Sequence, residues 1–356
     1  MDRQLERELR QIFDGIFIYS RESYSLGGHR VEVPPAPAED PAAPAAKSRQ
    51  PAPFVTSLQM MLYEHCYCRS FDPPLRGETL SPNGKSGDLL PKLSAANKTA
   101  ERWDYGWRVA QFTANGMVYA TKGGQSRIFS VGHLLSLDHP GSTPQPGGLV
   151  CALLAREDII SQPGFYCVQP QLSPSQDDHY SFIRFYWHIT PEIAPTLVTE
   201  VTERCNRYGV PYSFKCLRYP AAYTRADAAV LYVGRRYLFL VLQLVEEIYQ
   251  VVKDGLESRV PLFSKALGPG LGAAEDPASA GESFGLARCR AMAEAVWNAY
   301  GKRMQSEKAR LAELAAAFTN NGWDLDKPHL SMGTEDPFPE HFCDRHYGNA
   351  ASGFAK

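Results

Sequence analysis

The sequence has no apolar segment that is long enough to cross a membrane. A transmembrane helix needs about 20 consecutive apolar residues, and no run in the 356-residue chain approaches that length. The N-terminal segment MDRQLERELR is strongly charged, which is not typical of a secretory signal peptide. We therefore expect a cytoplasmic protein that does not associate with membranes.

The chain also lacks an excess of charge of either sign. It has 37 Lys and Arg residues against 39 Asp and Glu residues, which gives a formal net charge of −2. A nucleic-acid-binding domain usually concentrates positive charge, so the composition predicts no nucleic-acid partner. With 44% apolar residues, the chain can form one large globular domain or two small ones that pack closely.

Signatures of metal and cofactor sites are missing as well. The eight cysteines are scattered, and His65, Cys66 and Cys68 have no second pair at the spacing of a zinc site. Free thiols in a reducing compartment are the simplest interpretation. We predict neither a metal nor a cofactor, and the sequence contains no internal repeat, heptad array, Walker loop or kinase signature.

The most informative part of the sequence is residues 181–233. In residues 182–189 apolar and polar side chains alternate, which places Arg184, Tyr186 and His188 on one face of a predicted strand. A helical pattern follows at residues 190–209, with Thr190 and Pro191 as the predicted start. Such a polar strand face is a poor core but a suitable surface for binding an anion.

Two further strands are predicted at residues 212–217 and 228–233. They carry Lys215 and Tyr232, respectively. If the three strands are neighbours in one sheet, Lys215, Tyr232 and His188 converge, and Arg184 and Arg225 lie nearby. The pattern thus predicts one polar site built from three separated segments.

The chemistry of this site follows from its charges. A lysine amine acts as a base where cationic neighbours and partial burial favour its neutral form, so Lys215 is the candidate general base. An imidazolium is the natural acid for a leaving oxygen at neutral pH, so His188 is the candidate acid. Arginines can hold the leaving phosphate, and the set fits β-elimination of phosphate from a phosphorylated Ser or Thr.

Three motifs carry a resemblance to a known family: R-x-Y-W-H-I-T at 184–190, P-Y-x-F-K-C-L-x-Y-P at 211–220 and Y-x-R-A-D-A-A-V-L-Y-V at 223–233. They resemble the Hop-A-type effector domain of bacterial type III effectors, which also occurs in lanthipeptide and thioamitide pathways. The likeness continues through P-L-F-S-K-x-L-G-P-G-L-G and G-E-S-F-G-L-A-R-C-R, and it covers about two thirds of the chain.

The resemblance implies a fold and a function. The expected fold is α+β, with antiparallel or mixed sheets flanked by helices, similar to phosphothreonine lyases. The expected activity is that of a phospho-Ser/Thr lyase in class V lanthipeptide biosynthesis. Such a lyase works beside a kinase-like protein and converts phosphorylated residues of a precursor peptide to dehydroalanine and dehydrobutyrine.

A more distant likeness to effector phosphothreonine lyases of the OspF and SpvC type implies individual roles. It makes His188 the acid, Lys215 the base, Arg225 a phosphate ligand and Tyr232 the strand tyrosine. The sequence departs from that pattern at Tyr186, where those lyases have a lysine. We expect Arg184, on the same strand face, to supply the missing charge.

The chain divides into three predicted parts. Residues 1–175 form an N-terminal α+β module with a possible role in peptide binding, and its Pro- and Ala-rich segment 34–53 is predicted to be a flexible loop. Residues 176–330 form the lyase core, and residues 331–356 form a C-terminal tail.

A Gly-rich segment at 268–285 is predicted to be a loop, either a lid or a plain connection. The helix after it presents Arg290 beside its inner stripe and Arg288 away from that stripe, so both are candidate phosphate ligands and Arg290 is preferred.

Two alternatives to the biosynthetic lyase remain open at this stage. One is a non-catalytic scaffold that presents a phosphopeptide or leader peptide to a kinase or cyclase. The other is a type III effector that acts on host phosphoproteins.

Overall fold

The structure is a computed structural model, and it describes residues 1–34, 52–75, 87–175, 177–178, 181–276, 283–339 and 342. Residues 35–51 of the predicted flexible loop and most of the predicted tail lie outside the described residues. None of the helices in the described ranges combines the length and the apolar character needed to cross a membrane.

Helices and antiparallel sheets together make up the fold, which confirms the predicted α+β class. The helices are α1 (Arg3–Asp14), α2 (Pro53–Leu62), α3 (Leu90–Ala96), α4 (Ala194–Arg207), α5 (Leu238–Val252), α6 (Phe284–Gly301) and α7 (Glu307–Asn320). The strands are β1 (Ile16–Ser20), β2 (Ser23–Leu26), β3 (His29–Glu32), β4 (Arg102–Phe112), β5 (Val118–Lys122), β6 (Gln125–Phe129), β7 (Leu134–Ser136), β8 (Leu149–Leu154), β9 (Glu157–Asp158), β10 (Phe165–Val168), β11 (Phe182–Trp187), β12 (Tyr212–Leu217), β13 (Ala229–Gly234), β14 (Lys265–Gly268) and β15 (Leu271–Glu275).

A seven-stranded antiparallel sheet forms the centre of the molecule, with the order β14-β15-β11-β13-β12-β10-β9. The three strands predicted to be neighbours, β11, β13 and β12, are adjacent in it. Their register pairs Tyr186 with Val230, and Val230 with Lys215, so these three residues form one row across the sheet. Paired residues point to the same face, and the side chains of Lys215, Tyr186 and Arg184 therefore share one face.

The opposite face of this sheet is apolar and packs against α4 and α5. Ile183, Phe185 and Trp187 alternate with the polar residues of β11, and all three belong to the same buried cluster as Leu197 of α4 and Leu244 of α5. This confirms the predicted alternation. The strand ends earlier than predicted, at Trp187, although an isolated bridge still joins Ile189 to Leu256.

The polar face is covered only in part. Helices α2 and α6 pack over β11, β13 and β15, where Tyr186, Val230 and Ala274 join a second buried cluster with Phe284 and Met292. Helices α1 and α7 and the sheet β1-β2-β3 extend this cluster outward. Packing thus crosses the predicted boundary at residue 175, and the three-part division of the chain stays a prediction.

A separate five-stranded sheet has the order β6-β5-β4-β8-β7. A hairpin joins β4 and β5 around Ala114-Asn115-Gly116, where Gly116 has a φ of 78°. The next turn contains only Gly123 and Gly124, with φ angles of 54° and 78°. Two positive φ angles in a two-residue turn are typical of type I′.

The prediction of a loop at 268–285 is wrong in its first half. Strands β14 and β15 form a hairpin there, and β15 pairs with β11. Gly270 has a φ of 70°, and a Cβ on Gly272 would lie 2.9 Å from the Ser264 hydroxyl oxygen. The glycines therefore permit a tight turn and close packing, which composition alone does not distinguish from a flexible loop. Residues 277–282 lie outside the described residues.

The helix predicted to begin at Pro191 begins at Ala194 instead. The amide of Thr190 donates to the Gly255 carbonyl at 2.9 Å, which keeps the chain extended at the position where a helix cap was predicted. Residues 191–193 form a turn before α4.

Candidate functional site

A cavity of about 640 Å³ lies over the half of the polar sheet face that α2 and α6 leave uncovered. Its floor includes Ser213, Lys215 and Tyr232 from β12 and β13. Its opposite wall includes Ser126 and Arg127 from β6 of the five-stranded sheet. The cavity therefore lies between the two sheets, and Lys215 is one of the residues that line it.

The hydrogen-bond partner of the Lys215 amine and the two aromatic rings beside it are neutral. Its Nζ donates to the Gln162 side-chain oxygen at 2.9 Å and lies 4.6 Å from the centroid of the Phe165 ring and 5.9 Å from that of Tyr232. Lys215 forms no ion pair with a residue in the described part of the chain. The amine is thus held by a side-chain amide and two ring faces.

Arg184 lies on the other side of the Tyr232 ring. Its guanidinium carbon is 4.9 Å from the ring centroid, and its Nη2 bonds to Asp276 Oδ1 at 2.5 Å. Arg184 is only 8% exposed, whereas Asp276 lines the cavity. Lys215, Tyr232 and Arg184 are thus brought together as predicted, but the charge of Arg184 is already paired.

Tyr186 and Arg288 lie deeper, under α6. The Tyr186 hydroxyl is buried close to that of Tyr67, and burial raises the pKa of Tyr186. Arg288 is 1% exposed, stacks 3.7 Å from the centroid of Trp323 and donates to the Pro328 carbonyl at 3.2 Å. Burial lowers the pKa of Arg288 to about 9. Both residues are part of the core and do not line the cavity.

The predicted orientations of Arg288 and Arg290 on the helix are wrong. Arg288 points into the core, whereas Arg290 is partly exposed and bonds to Glu294 on its own helix at 3.0 Å. The helical-wheel argument failed because α6 is buried on most sides, between α2 and α7, so its apolar residues do not mark a single inner stripe.

Arg225 is held by a carboxylate. Its Nε and Nη2 each donate to an oxygen of Asp227 at 2.8 Å, and the Tyr63 hydroxyl donates to the same carboxylate at 3.1 Å. Burial disfavours ionisation of Asp227, but the Arg225 guanidinium outweighs this and holds the pKa of Asp227 below its usual range. Arg225 therefore forms an ion pair with Asp227, and this pairing competes with binding of a phosphate by Arg225.

His188 follows the end of β11 and is 9% exposed. Its Nδ1 lies 3.2 Å from the Arg259 carbonyl oxygen, and burial lowers the pKa of its imidazole. His188 and Lys215 share a sheet face, but β13 lies between their strands, which is a separation of about 10 Å between backbones. Asp227 interacts electrostatically with both residues.

The predicted site residues thus fall into three groups. Lys215 and Tyr232 line the cavity, and Arg184 lies behind the Tyr232 ring. Arg225 is paired with Asp227, which interacts electrostatically with His188, and Tyr186, Arg288 and Arg290 are buried or paired elsewhere.

Sequence reasoning missed Arg127, Asp227 and Asp276 as site residues. Asp227 stands in the R-A-D motif beside Arg225 and could have been found from that spacing. Arg127 reaches the cavity only through the packing of two sheets, which no local pattern reveals. Among the described residues no group of three or more His, Cys, Asp and Glu side chains could hold a metal ion.

Comparison with known proteins adds a family resemblance. Residues 158–330 match the model of the HopA1 effector protein family. This segment contains β10 to β15 and α4 to α7, and therefore both Lys215 and His188. No curated protein matches the chain at a significant level.

Two solved structures of effector proteins from Pseudomonas syringae are similar to the chain. One, from pathovar tomato strain DC3000, is 17% identical with a TM-score of 0.44, over 78% of this chain and 95% of that one. The other, from pathovar syringae strain 61, is 19% identical with a TM-score of 0.35, over 49% of this chain and 67% of that one.

Proposed function

We propose that the protein is a lyase that eliminates phosphate from phosphoserine and phosphothreonine residues of a peptide. One observation carries the proposal: the amine of Lys215 lies in a cavity large enough for a phosphorylated side chain and has no carboxylate partner in the described chain. A catalytic base needs this freedom, because an ion pair would hold the amine in its protonated form.

In the proposed reaction the neutral Lys215 amine takes the Cα proton of the phosphorylated residue. The bond between Cβ and the bridging oxygen breaks, its electron pair leaves with the phosphate, and a Cα–Cβ double bond forms. The bound phosphate dianion favours the protonated imidazole of His188 against the effect of burial. His188 gives this proton to the departing oxygen and ends as a neutral imidazole, whereas Lys215 ends as an ammonium. No oxidant or reductant is consumed, and the chemistry needs no cofactor.

The phosphate dianion would lie between Lys215 and the Arg225–Asp227 pair. In that position it competes with Asp227 for the Arg225 guanidinium, and the His188 imidazole faces the same region. Arg184 lies behind the Tyr232 ring, where Asp276 balances its charge. Bidentate guanidinium–phosphate bonds are strong enough for such an exchange of partners.

The proposed substrate is a phosphorylated ribosomal precursor peptide that a kinase-like partner supplies. The motif resemblance to lanthipeptide-pathway domains supports this assignment. A second candidate is an effector that eliminates phosphate from host phosphoproteins, which the match of residues 158–330 to the HopA1 effector family favours.

Mass spectrometry of phosphopeptides incubated with the purified protein tests the activity. We expect loss of phosphoric acid with the wild type and none with Lys215→Ala or His188→Ala. Tight binding without any change in peptide mass would contradict the proposal and identify a non-catalytic scaffold. The genes beside this one distinguish the two substrate classes, because a kinase-like frame with a short Ser/Thr-rich peptide favours biosynthesis and secretion genes favour an effector.

A further inference from the structure

Positive charge continues along the wall of the cavity that faces Lys215. A second hollow of about 330 Å³ adjoins the first, and the two share Arg127 and Ser173 in their linings. The second hollow is also lined by Arg102, Trp107 and Lys122. Together the two hollows form a groove that runs from Lys215 past Arg127 to Arg102.

Neither Arg102 nor Arg127 forms an ion pair with a residue that the structure describes. Two carboxylates in the groove interact with Arg127 electrostatically: Asp158, and Asp104, which Lys122 binds through both oxygens at 2.8 Å. Arg127 lies 5.9 Å from the Trp107 ring centroid, and Nη1 of Arg102 is buried without a hydrogen-bond partner. Two partly desolvated guanidinium groups whose neighbouring carboxylates form no ion pair with them are stabilised when a further anion binds.

The strand that carries Arg127 also has an unpaired edge, as far as the described residues go. Strand β6 is at the end of its sheet, and the type I′ turn pairs Lys122 with Gln125. In such a hairpin the backbone groups of every second residue, here Ser126 and Ile128, point away from the partner strand. Ser126 lines the cavity, so its backbone groups are available to an extended peptide in the groove.

We propose that β6 and the Arg102–Arg127 pair bind an extended segment of the substrate that carries a phosphate or carboxylate near the residue processed at Lys215. The inference rests on the proposed function, and it narrows the substrate class to extended peptides with a second anionic side chain. The strand edge fixes the peptide direction and spacing, and the arginine pair selects for the anion.

Fluorescence anisotropy with uncleavable peptides tests this binding. Each peptide carries a phosphonate analogue of phosphothreonine, in which a methylene group replaces the bridging oxygen, so that nothing can be eliminated. Two series of such peptides are made. One places a single glutamate, and the other a single phosphoserine analogue, at each successive position on either side of the phosphothreonine analogue. We expect the affinity to rise about tenfold at positions on one side only, and the two series identify which anion is preferred.

The arginine variants provide the controls. The gain in affinity should disappear in Arg127→Ala and Arg102→Ala and persist in Arg108→Ala, which removes the same charge from the exposed face of β4. Thermal unfolding curves of Arg127→Lys and Arg127→Ala show whether the fold is intact. An equal gain in Arg127→Ala with an intact fold, or no dependence on position, overturns the inference.

The outcome also separates this inference from the proposed function. Position-dependent binding through Arg127 without any elimination of natural phosphopeptides would support the groove and contradict the lyase. Elimination at a rate that is indifferent to flanking charge and to Arg127→Ala would support the lyase and contradict the groove.

Discussion

At the scale of single residues, the Lys215 amine donates its hydrogen bond to a neutral amide, that of Gln162. Arg184, Arg225 and Arg218 all bond to carboxylates. The sequence predicted the face and the strand of Lys215 correctly, because alternation fixes both. It could not predict which arginines would be neutralised, since Asp276 reaches Arg184 from 92 residues away.

Replacing Lys215 by arginine separates charge from basicity. An arginine keeps the positive charge that attracts phosphate but cannot lose its proton at neutral pH. We expect Lys215→Arg to bind a phosphopeptide within a few-fold of the wild type and to lower the elimination rate by about 10²- to 10⁴-fold. Single-turnover rates and anisotropy titrations measure the two effects, and near-normal turnover by Lys215→Arg would remove Lys215 from the role of base.

The buried state of His188 predicts how stability depends on pH. Burial lowers its pKa below the ordinary 6.5, so the unfolded chain binds a proton more tightly than the folded one. The contribution of His188 to the stability of the fold is therefore fully present above about pH 6.5. It is lost as the pH falls through the pKa that His188 has in the folded protein. Burial lowers the pKa of His329 in the same way, and the two effects add.

Thermal midpoints measured between about pH 7.5 and about pH 5.5 test this dependence. We expect the midpoint to fall towards acid, and to fall less in His188→Gln than in the wild type. His133→Gln serves as the control, because His133 is exposed. An identical acid dependence in His188→Gln and the wild type would contradict the assigned direction.

At the scale of elements, the β14–β15 hairpin fixes the end of β11 where His188 lies. The amide of His188 donates to the Gly270 carbonyl at 2.9 Å, and the Gly270 amide donates to the Ser258 carbonyl at 3.0 Å. The sequence predicted the helices and strands of the centre well because their periodicity is local. It failed at 268–276, where glycine serves close packing and cannot be distinguished by composition from a flexible loop.

Substituting Gly270 tests the importance of this turn. Its φ of 70° is unfavourable for other residues, and a Cβ would lie 2.2 Å from the Glu257 carbonyl oxygen. We expect Gly270→Ala to lower the free energy of unfolding by about 2 kcal/mol or more. Gly301→Ala, at a helical position with open space around it, is the matched control and should be neutral or stabilising by up to about 1 kcal/mol. Equal midpoints in urea for the two variants would contradict this view of the turn.

At the scale of the whole molecule, the N-terminal elements are joined to the C-terminal helices by a buried arginine. Arg310 of α7 donates to the carbonyls of Phe13 and Ile16, the latter at 2.8 Å. It is 2% exposed. No sequence pattern indicated this contact, because it joins residues about 300 positions apart, and the hydrophobic periodicity of α1 and α7 predicts only that each has a buried face.

Removing that arginine should weaken the whole fold. Arg310→Leu leaves two buried carbonyls without a donor, and we expect a loss of about 1–3 kcal/mol in the free energy of unfolding. Lys308→Leu on the exposed side of α7 is the control and should change it by less than about 0.5 kcal/mol. Urea denaturation followed by circular dichroism measures the free energy of unfolding of both variants. Equal losses in the two variants would contradict a stabilising role for the contact between α7 and the N-terminal elements.

The central claim is that Lys215 removes a proton from carbon, and a thiol-trapping assay tests it most directly. A phosphoserine peptide is incubated with the protein and then with a small thiol, which adds to dehydroalanine but not to serine. We predict that the wild type yields the thiol adduct with release of phosphate, and that Lys215→Arg yields unchanged phosphopeptide. Release of phosphate that leaves plain serine, or no reaction by the wild type, would contradict the account.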